Sequence, residues 1–176
     1  MGYDTILLDV KDKIATITLN RPEAGNALAA NSYGEIRDAI VRCENDDEVR
    51  AIVIRSNGKH FSAGGDIKRF KQLIETKQYL NEDNIMYAGR MTSAIRRCEK
   101  PVIAMVQGVA TGAGCSLAVA CDFRVATPNT KFIMGFIKLG LTGDTGSMYF
   151  LYKLLGIAKA SEMLMLGDPV SGEEAY

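Results

Sequence analysis

The hydrophobic pattern of the chain changes period along its length, and the change predicts strands and helices in turn. Apolar and polar residues alternate over residues 14–19 (IATITL), which is typical of a half-buried strand. Residues 51–54 (AIVI) and 102–106 (VIAMV) are short and continuously apolar. Such runs favour strands that are covered on both faces.

Two other segments have the period of amphipathic helices. From Ile36 to Cys43, apolar residues recur at i, i+3, i+4 and i+7, and Ser32 with Glu35 matches a capping box just before them. A second helix is predicted over about residues 82–98. The alternating order of strands and helices predicts an α/β fold, and because no repeat or linker interrupts it we expect one domain over 1–176.

Composition and charge exclude several classes of protein. Lys plus Arg and Asp plus Glu both number 21, so no net charge draws the chain to nucleic acid or to an anionic membrane. No signal-like segment or run of about 20 apolar residues occurs, and we expect a soluble cytoplasmic protein. The four cysteines lack CxxC spacing and His60 is the single histidine, so we expect reduced thiols and no metal site.

The last residues contain a second helix-start pattern. Ser171 and Glu174 in SGEEAY match a capping box, but only two residues follow it. We therefore expect the natural protein to continue beyond Tyr176 and a C-terminal helical part to be missing.

Two glycine-rich turns each join a predicted strand to a predicted helix. They lie in residues 60–70 (HFSAGGDIKRF) and 108–122 (GVATGAGCSLAVACD), the first leading into a helix over about 66–74. Glycines let the backbone approach a ligand closely, and the free N–H groups of a helix N-terminus favour a negative charge. The turns could thus converge on one oxygen, although tight turns and close helix packing alone would also need such glycines.

The order of several motifs resembles the enoyl-CoA hydratase/isomerase (crotonase) family. These motifs are ATITLNRPEAGNAL, FSAGGDIK, KPVIAMVQG, ATGAGCSLAVACDFRVAT and GLTGDTGSMYFLYKLLG, and together they span nearly the whole chain. The resemblance implies a spiral of repeated ββα units, acyl-CoA thioester substrates, and trimers or dimers of trimers. It implies no metal or other cofactor, since coenzyme A is part of the substrate.

The resemblance also assigns positions to an oxyanion hole and a substrate groove. In that family two backbone N–H groups bind the thioester oxygen, and the matching positions here are Gly65 and Ala113. Further positions are implied to border the substrate: Glu23, Ala24, Ala63, Gly64, Asp66, Ile67, Lys68, Gly112, Gly114 and Phe136. Lys68 would face a phosphate in this interpretation, or would be a solvated helix lysine.

The chain departs from the hydratases at two positions. The hydratases resemble one another in using two glutamates to orient a water and move its proton. The matching positions here hold Ser116 and Phe136. Phenylalanine makes that part of the pocket apolar and carries no proton, which disfavours plain hydratase activity.

Asp144 offers a carboxylate near these positions. Because a helix is predicted over 145–155, Asp144 would be an N-cap by sequence logic alone. Family members with aspartate at the matching position include dienoyl-CoA and ring-modifying isomerases, which use it as an acid/base, and a dehalogenase, which uses it as a nucleophile. In an apolar pocket, desolvation would disfavour the ionised form of Asp144 and bring its proton affinity nearer to the value that proton shuttling needs. We therefore expect an isomerase with Asp144 as base.

Three alternatives stay open at this point. The chain could be a hydratase-type lyase that acts without the glutamate pair, or a module that binds acyl-CoA without catalysis. A hydrolase built from Ser116, His60 and an aspartate is the third, although His60, at the start of the first glycine-rich segment, would have to reach Ser116 in the helix of the second.

Overall fold

A computed structural model describes residues 2–78 and 82–176. Within these residues the chain forms two β-sheets and five α-helices, in an order that alternates strands and helices as predicted. The elements are β1 (Ile6–Lys11), β2 (Ile14–Leu19), α1 (Ser32–Glu44), β3 (Ala51–Ser56), α2 (Ile67–Glu75), α3 (Glu82–Arg97), β4 (Val102–Val106), β5 (Val109–Thr111), α4 (Ala113–Ala120), β6 (Phe123–Ala126), β7 (Lys131–Ile133), α5 (Ser147–Leu166) and β8 (Val170–Ser171).

The larger sheet has the strand order β1-β2-β3-β4-β6 in the described part of the chain. β1 is antiparallel to β2, and the other neighbours are parallel. Ile17 pairs with Ile54, which pairs in turn with Ala104. All three are fully buried, so the register places a continuous apolar row against the core.

The chain passes repeatedly between this sheet and a smaller one. After β4 it enters β5 in the second sheet, returns through α4 to β6, and enters the second sheet again at β7. The smaller sheet has the order β5-β7-β8, with β5 parallel to β7 and β8 antiparallel to it. This alternation stacks successive strand pairs as a spiral, and α4 begins directly after β5 of the smaller sheet.

Helix α1 has the predicted buried face but not the predicted cap. Ile36 and Cys43, at the two ends of the predicted stripe, are buried. The capping box is wrong, because helix α1 begins after Asn31 and Ser32 Oγ accepts a hydrogen bond from Ala29 N at 3.0 Å. Glu35 instead accepts from Thr5 N at 2.8 Å, so the side chain ties the helix to the N-terminal segment.

The central strands are covered less completely than their sequences predicted. In β3, Ile52 and Ile54 are fully buried, but Val53 between them is only partly buried. In β4, Met105 is 46% exposed. Side chains alternate between the two faces of a strand, and here only one face packs into the core. The prediction that both faces are covered is therefore wrong within the described chain.

Helix α5 begins at Ser147, two residues later than predicted, and extends to Leu166. Gly156 interrupts it with φ of 71°, a left-handed conformation, so two helical segments meet at a kink. Within the described residues, no helix combines the length and the apolar character that crossing a membrane would need.

The second predicted helix start forms a single turn instead. Ser171 is the last residue of β8 and its Oγ accepts from Glu174 N at 3.0 Å, which is half of a capping box. The Glu174 carboxylate does not form the other half of the capping box, because it pairs with Lys159 at 2.7 Å.

The four cysteines are free thiols, of which Cys98 alone is not buried.

The two glycine-rich turns are in direct backbone contact. Thr111 N donates to Ser62 O at 3.0 Å. A Cβ added to Gly64 would lie 2.7 Å from Thr111 O, and one added to Gly114 would lie 2.5 Å from the Ser62 Cβ. Gly64 also has φ of +88°, which side chains rarely tolerate. Glycine is thus required on both sides of this contact.

We predict that Gly114→Ala lowers the free energy of unfolding by about 1–3 kcal/mol, because the new methyl group overlaps the fully buried Ser62. Gly89→Ala is the matched control, since a Cβ there meets nothing within 4 Å and alanine favours the interior of α3 by roughly 0.5–1 kcal/mol. Chemical denaturation measures both changes. Equal stability of the two variants would contradict the close contact.

Candidate active site

A pocket of about 260 Å³ opens where the two glycine turns meet. Eight of the residues that the sequence assigned to the site line it. They are Ala63, Gly64, Gly65, Ile67, Gly112, Ala113, Phe136 and Asp144. Residues more than 80 positions apart in the chain are therefore brought to one cavity, as convergence of the turns requires.

The first candidate oxyanion donor is Gly65. Leu28 N donates to Gly64 O at 2.7 Å, and Asp66 N donates to Leu28 O at 3.2 Å. These bonds hold the peptides on either side of Gly65, whose own N–H has no acceptor among the described residues. A free N–H in a fixed backbone is preorganised to bind a developing negative charge.

The second candidate donor is Ala113, the first residue of α4. The first N–H groups of a helix have no partner inside the helix, and Gly112 precedes Ala113 as the N-cap without a side-chain cap. Ala113 N lies 3.6 Å from the position a Gly64 Cβ would occupy. Gly65 and Ala113 line the same cavity from neighbouring turns, and the helix dipole adds partial positive charge at the second residue.

Phe136 covers the second turn with an apolar surface. The residue is 9% exposed, and its ring lies 3.8 Å from the position a Gly112 Cβ would occupy. The position at which the resemblance implies a glutamate in hydratases therefore holds a ring packed beside the second donor. A ring there excludes water and supplies no proton.

Asp144 lies in the pocket and does not cap α5. The N-cap of that helix is Gly146, and it has no side-chain cap. The Asp144 carboxylate instead accepts a hydrogen bond from Thr145 Oγ1 at 2.5 Å. Thr145 has φ of 54°, an uncommon left-handed conformation for a β-branched residue, and Gly146 follows with φ of 77°. The N-cap interpretation is therefore wrong, and Asp144 lines the pocket instead.

The surroundings of Asp144 favour its protonated form. Burial raises the pKa of the carboxyl above its ordinary value of 3.8, and the hydrogen bond from Thr145 partly offsets this. Apolar lining residues such as Phe70 and Leu141 explain the desolvation. A carboxyl whose pKa is raised accepts and releases protons nearer neutral pH than an exposed one.

Five of the sequence-assigned positions lie outside the pocket lining, namely Glu23, Ala24, Asp66, Lys68 and Gly114. Glu23 and Ala24 belong to a 3₁₀ turn, Pro22–Ala24, whose next residue accepts a hydrogen bond from Ala63 N at 2.9 Å. That turn borders the first glycine turn. It does not reach the cavity.

The other three positions have structural contacts. Asp66 caps α2 by accepting from Lys68 N at 3.1 Å, and it pairs with Arg21 at 3.1 Å. The Lys68 side chain is exposed. Gly114 packs against Ser62, as described above.

The pair proposed for a hydrolase is not assembled. Ser116 is fully buried and its Oγ donates to Gly112 O at 3.1 Å. The described lining of the pocket contains neither Ser116 nor His60. The serine is therefore a helix residue satisfied by its own backbone.

The pocket is also lined by eight residues that the sequence did not indicate. They are Tyr33, Phe70, Thr111, Ile133, Gly135, Lys138, Leu139 and Leu141. One signal was available for Tyr33, since it lies three residues before Ile36 and so extends the buried stripe of α1. For the others, only the meeting of distant loops decides which side chains face the cavity.

Comparison with known proteins matches this arrangement to one family. The family described as "Enoyl-CoA hydratase/isomerase" matches residues 9–176. Because the match covers nearly the whole chain, the protein belongs to the enoyl-CoA hydratase/isomerase family.

The expected crotonase-type fold is confirmed by solved structures. An enoyl-CoA hydratase from Polaromonas sp. JS666 superposes with a TM-score of 0.89 at 37% identity, covering 96% of this chain and 65% of that one. An enoyl-CoA hydratase from Mycobacterium avium subsp. paratuberculosis K-10 superposes with a TM-score of 0.89 at 30% identity. The match covers 99% of this chain and 68% of that one.

Two curated relatives carry different activities in their names. The trans-2-decenoyl-[acyl-carrier-protein] isomerase of Streptococcus mutans is 34% identical over 99% of this chain and 67% of its own length. The crotonyl-CoA hydratase of Syntrophomonas wolfei is 36% identical over 100% of this chain and 67% of its own length. The chain thus spans about two thirds of the length of these relatives.

The raised pKa of Asp144 predicts a pH-dependent effect on stability. Since the folded state binds this proton more tightly than the unfolded state, folding loses free energy as pH rises from 3.8 through the folded pKa. We therefore expect Asp144→Asn to melt at a higher temperature than the parent at pH 8, and the gap to shrink as pH falls toward 4. Thermal melts across this range measure it, with the exposed Asp47→Asn as control. A gap independent of pH would contradict the desolvation of Asp144.

Proposed function

We propose that this protein is an acyl-thioester isomerase that moves a carbon–carbon double bond by shuttling a proton through Asp144. The observation that carries the proposal is the carboxylate of Asp144 in the cavity that Gly65 and Ala113 border. The family membership supports enoyl thioester chemistry, and the site favours proton transfer between carbons over addition of water.

In the proposed reaction the thioester oxygen accepts hydrogen bonds from Gly65 N–H and Ala113 N–H. Asp144 removes a proton from Cγ of a 2-enoyl thioester, and the electron pair moves through the chain to the thioester oxygen as a dienolate. Protonated Asp144 then returns the proton to Cα, which leaves a 3-enoyl thioester and restores the carboxylate. The reverse direction uses the same steps. Each oxyanion donor is worth about 10²–10³-fold in rate in comparable sites.

The environment of Asp144 suits both halves of this cycle. An exposed carboxyl is too acidic to hold a proton between the two transfers, whereas burial raises the pKa of Asp144. Phe136 supports the assignment because its buried ring leaves less room for an attacking water. Without a placed water, the dienolate partitions toward protonation at carbon.

The substrate carrier and the assembly are parts of the proposal. We infer an acyl-CoA substrate, with coenzyme A as part of the substrate and no resident metal or redox cofactor. The relative from S. mutans is named for an acyl-carrier-protein substrate, so acyl carrier protein is the alternative carrier. By the resemblance, the functional assembly would be a homotrimer or a dimer of trimers.

Hydration is the second candidate, because hydratase names occur among the relatives. It would require a group other than the two glutamates to activate water. Asp144 is the sole ionisable carboxylate among the described lining residues. A hydratase using Asp144 alone would therefore add oxygen to the acyl chain, whereas the isomerase would not.

We predict that 2- and 3-enoyl-CoA substrates incubated in heavy water gain deuterium at Cα or Cγ without gaining oxygen. Asp144→Asn should lower this exchange and the isomerisation rate by about 10²–10⁴-fold, the usual contribution of a general acid/base. Mass spectrometry and NMR of the product measure both quantities, and enoyl thioesters of acyl carrier protein form a parallel arm.

Asp47→Asn, which changes an exposed carboxylate outside the pocket lining, should retain full activity. Product that carries added oxygen would favour the hydratase. Tight acyl-CoA binding with neither exchange nor product would favour the non-catalytic module.

Thr145 should tune the proton affinity of Asp144. The hydrogen bond from its hydroxyl lowers the pKa of Asp144, so Thr145→Val should raise that pKa and move the acid limb of the kcat/KM profile to higher pH. Thr145→Ser keeps the hydroxyl and should keep the limb in place. Measuring kcat/KM from pH 4 to 9 tests this. An acid limb in Thr145→Val at the same pH as in the parent would contradict the role of Thr145.

A further inference from the structure

Tyr33 places a polar atom, which the proposed reaction does not use, in the same pocket as Gly65 and Asp144. The residue belongs to the first turn of α1, is 8% exposed, and lines the cavity together with Gly65 and Asp144. Its hydroxyl lies 3.7 Å from the position that a Gly65 Cβ would occupy. The hydroxyl therefore reaches the first glycine turn, close to the proposed acyl group.

This hydroxyl makes no hydrogen bond within residues 2–78 and 82–176. Among the described side chains, the fully enclosed polar atoms without a partner are His60 Nδ1 and Ser147 Oγ. The Tyr33 hydroxyl is not one of them, because it opens into the cavity it lines. It is thus an available group that faces the place where an acyl group would bind.

The hydroxyl is held in its neutral form. Burial raises the pKa of Tyr33 above its ordinary value, and the nearby charge of Asp144 raises it further, against a smaller lowering by Arg69. A phenol that stays protonated can donate a hydrogen bond. It is a poor proton shuttle, so a binding role fits it better than an acid/base role.

A neutral donor in a mostly apolar cavity discriminates between acyl groups. A plain alkyl chain would displace water from the hydroxyl and leave it without a partner, which costs binding free energy. An oxygen on the acyl chain would replace that water with a direct hydrogen bond. Sites built to bind a polar group reject analogues that lack it.

We propose that Tyr33 is a specificity-determining residue that selects acyl thioesters with a hydrogen-bond-accepting oxygen on the acyl group. The inference rests on the proposed binding of an acyl-CoA in this pocket, and it adds a substrate class to that function. In this proposal the Tyr33 hydroxyl bonds an oxygen carried by the acyl group, and the thioester oxygen stays with the backbone donors.

Binding measurements test the inference without relying on turnover. Isothermal titration compares hexanoyl-CoA with 3-, 4- and 5-oxohexanoyl-CoA, which carry the same chain and an acceptor at different positions. For the parent protein we expect at least one oxo compound to bind about tenfold or more tightly than hexanoyl-CoA. Tyr33→Phe should abolish that preference while binding hexanoyl-CoA as well as the parent or better.

Tyr87→Phe is the matched control. The Tyr87 hydroxyl packs against Gly34 on another side of α1, and Tyr87 is not among the described lining residues, so its variant should keep the preference. Circular dichroism verifies that both variants are folded. Equal affinities of the parent for all four thioesters, or a preference that survives in Tyr33→Phe, would overturn the role of Tyr33.

Two further outcomes are distinguishable from these. If none of the four thioesters binds, the proposed acyl-CoA function fails and the inference fails with it. If Tyr33→Phe leaves binding unchanged but shifts the acid limb of the pH–rate profile, the hydroxyl serves Asp144 instead, and the selection of acyl oxygens is wrong.

Discussion

The site depends on the close approach of two backbone turns. Gly64 lies against Thr111, and Gly114 lies against Ser62, with no room for a methyl group in either contact. Hydrogen bonds between the turns fix their relative position, and Leu28 holds the peptides on either side of Gly65. Gly65 and Ala113 line one small pocket only while the turns are this close. Glycine sterics therefore control the electrostatics of the cavity.

Other features of the fold serve this contact. The chain leaves the larger sheet after β4, forms β5 in the smaller sheet, and enters α4 within a few residues. This path places the N-terminus of α4 beside the first glycine turn. That turn follows the parallel strand β3. Loops following parallel strands commonly form binding sites for this reason. The carboxylate of Asp144 arrives from a third direction, on the loop before α5.

The sequence predicted most of the elements because their signals are local. The apolar stripe of α1 and the run of β4 each specify an element within a few residues. The caps were harder to predict, since Glu35 bonds with Thr5, about 30 positions away, instead of Ser32. Tyr33 was missed as a site residue because its burial is readable from the helical period, whereas the cavity it faces depends on the long-range packing of loops. The placement of Asp144 also depended on backbone conformation, as left-handed residues at Thr145 and Gly146 delay the helix past the expected cap.

The two candidate oxyanion donors belong to the main chain, and this divides the site into a fixed part and a variable part. Substitutions of side chains leave an amide N–H in place as long as the turns keep their glycines. Phe136, Asp144 and Tyr33 lie on three separate segments, and each contributes a side chain to the pocket that the turns border. On the proposed function, an apolar ring at Phe136 and a carboxylate on the loop before α5 can thus change the fate of an enolate without any change in the backbone donors that would stabilise it. A change of reaction on such a scaffold would then be a matter of side chains alone, since the candidate donors are supplied by every amino acid except proline.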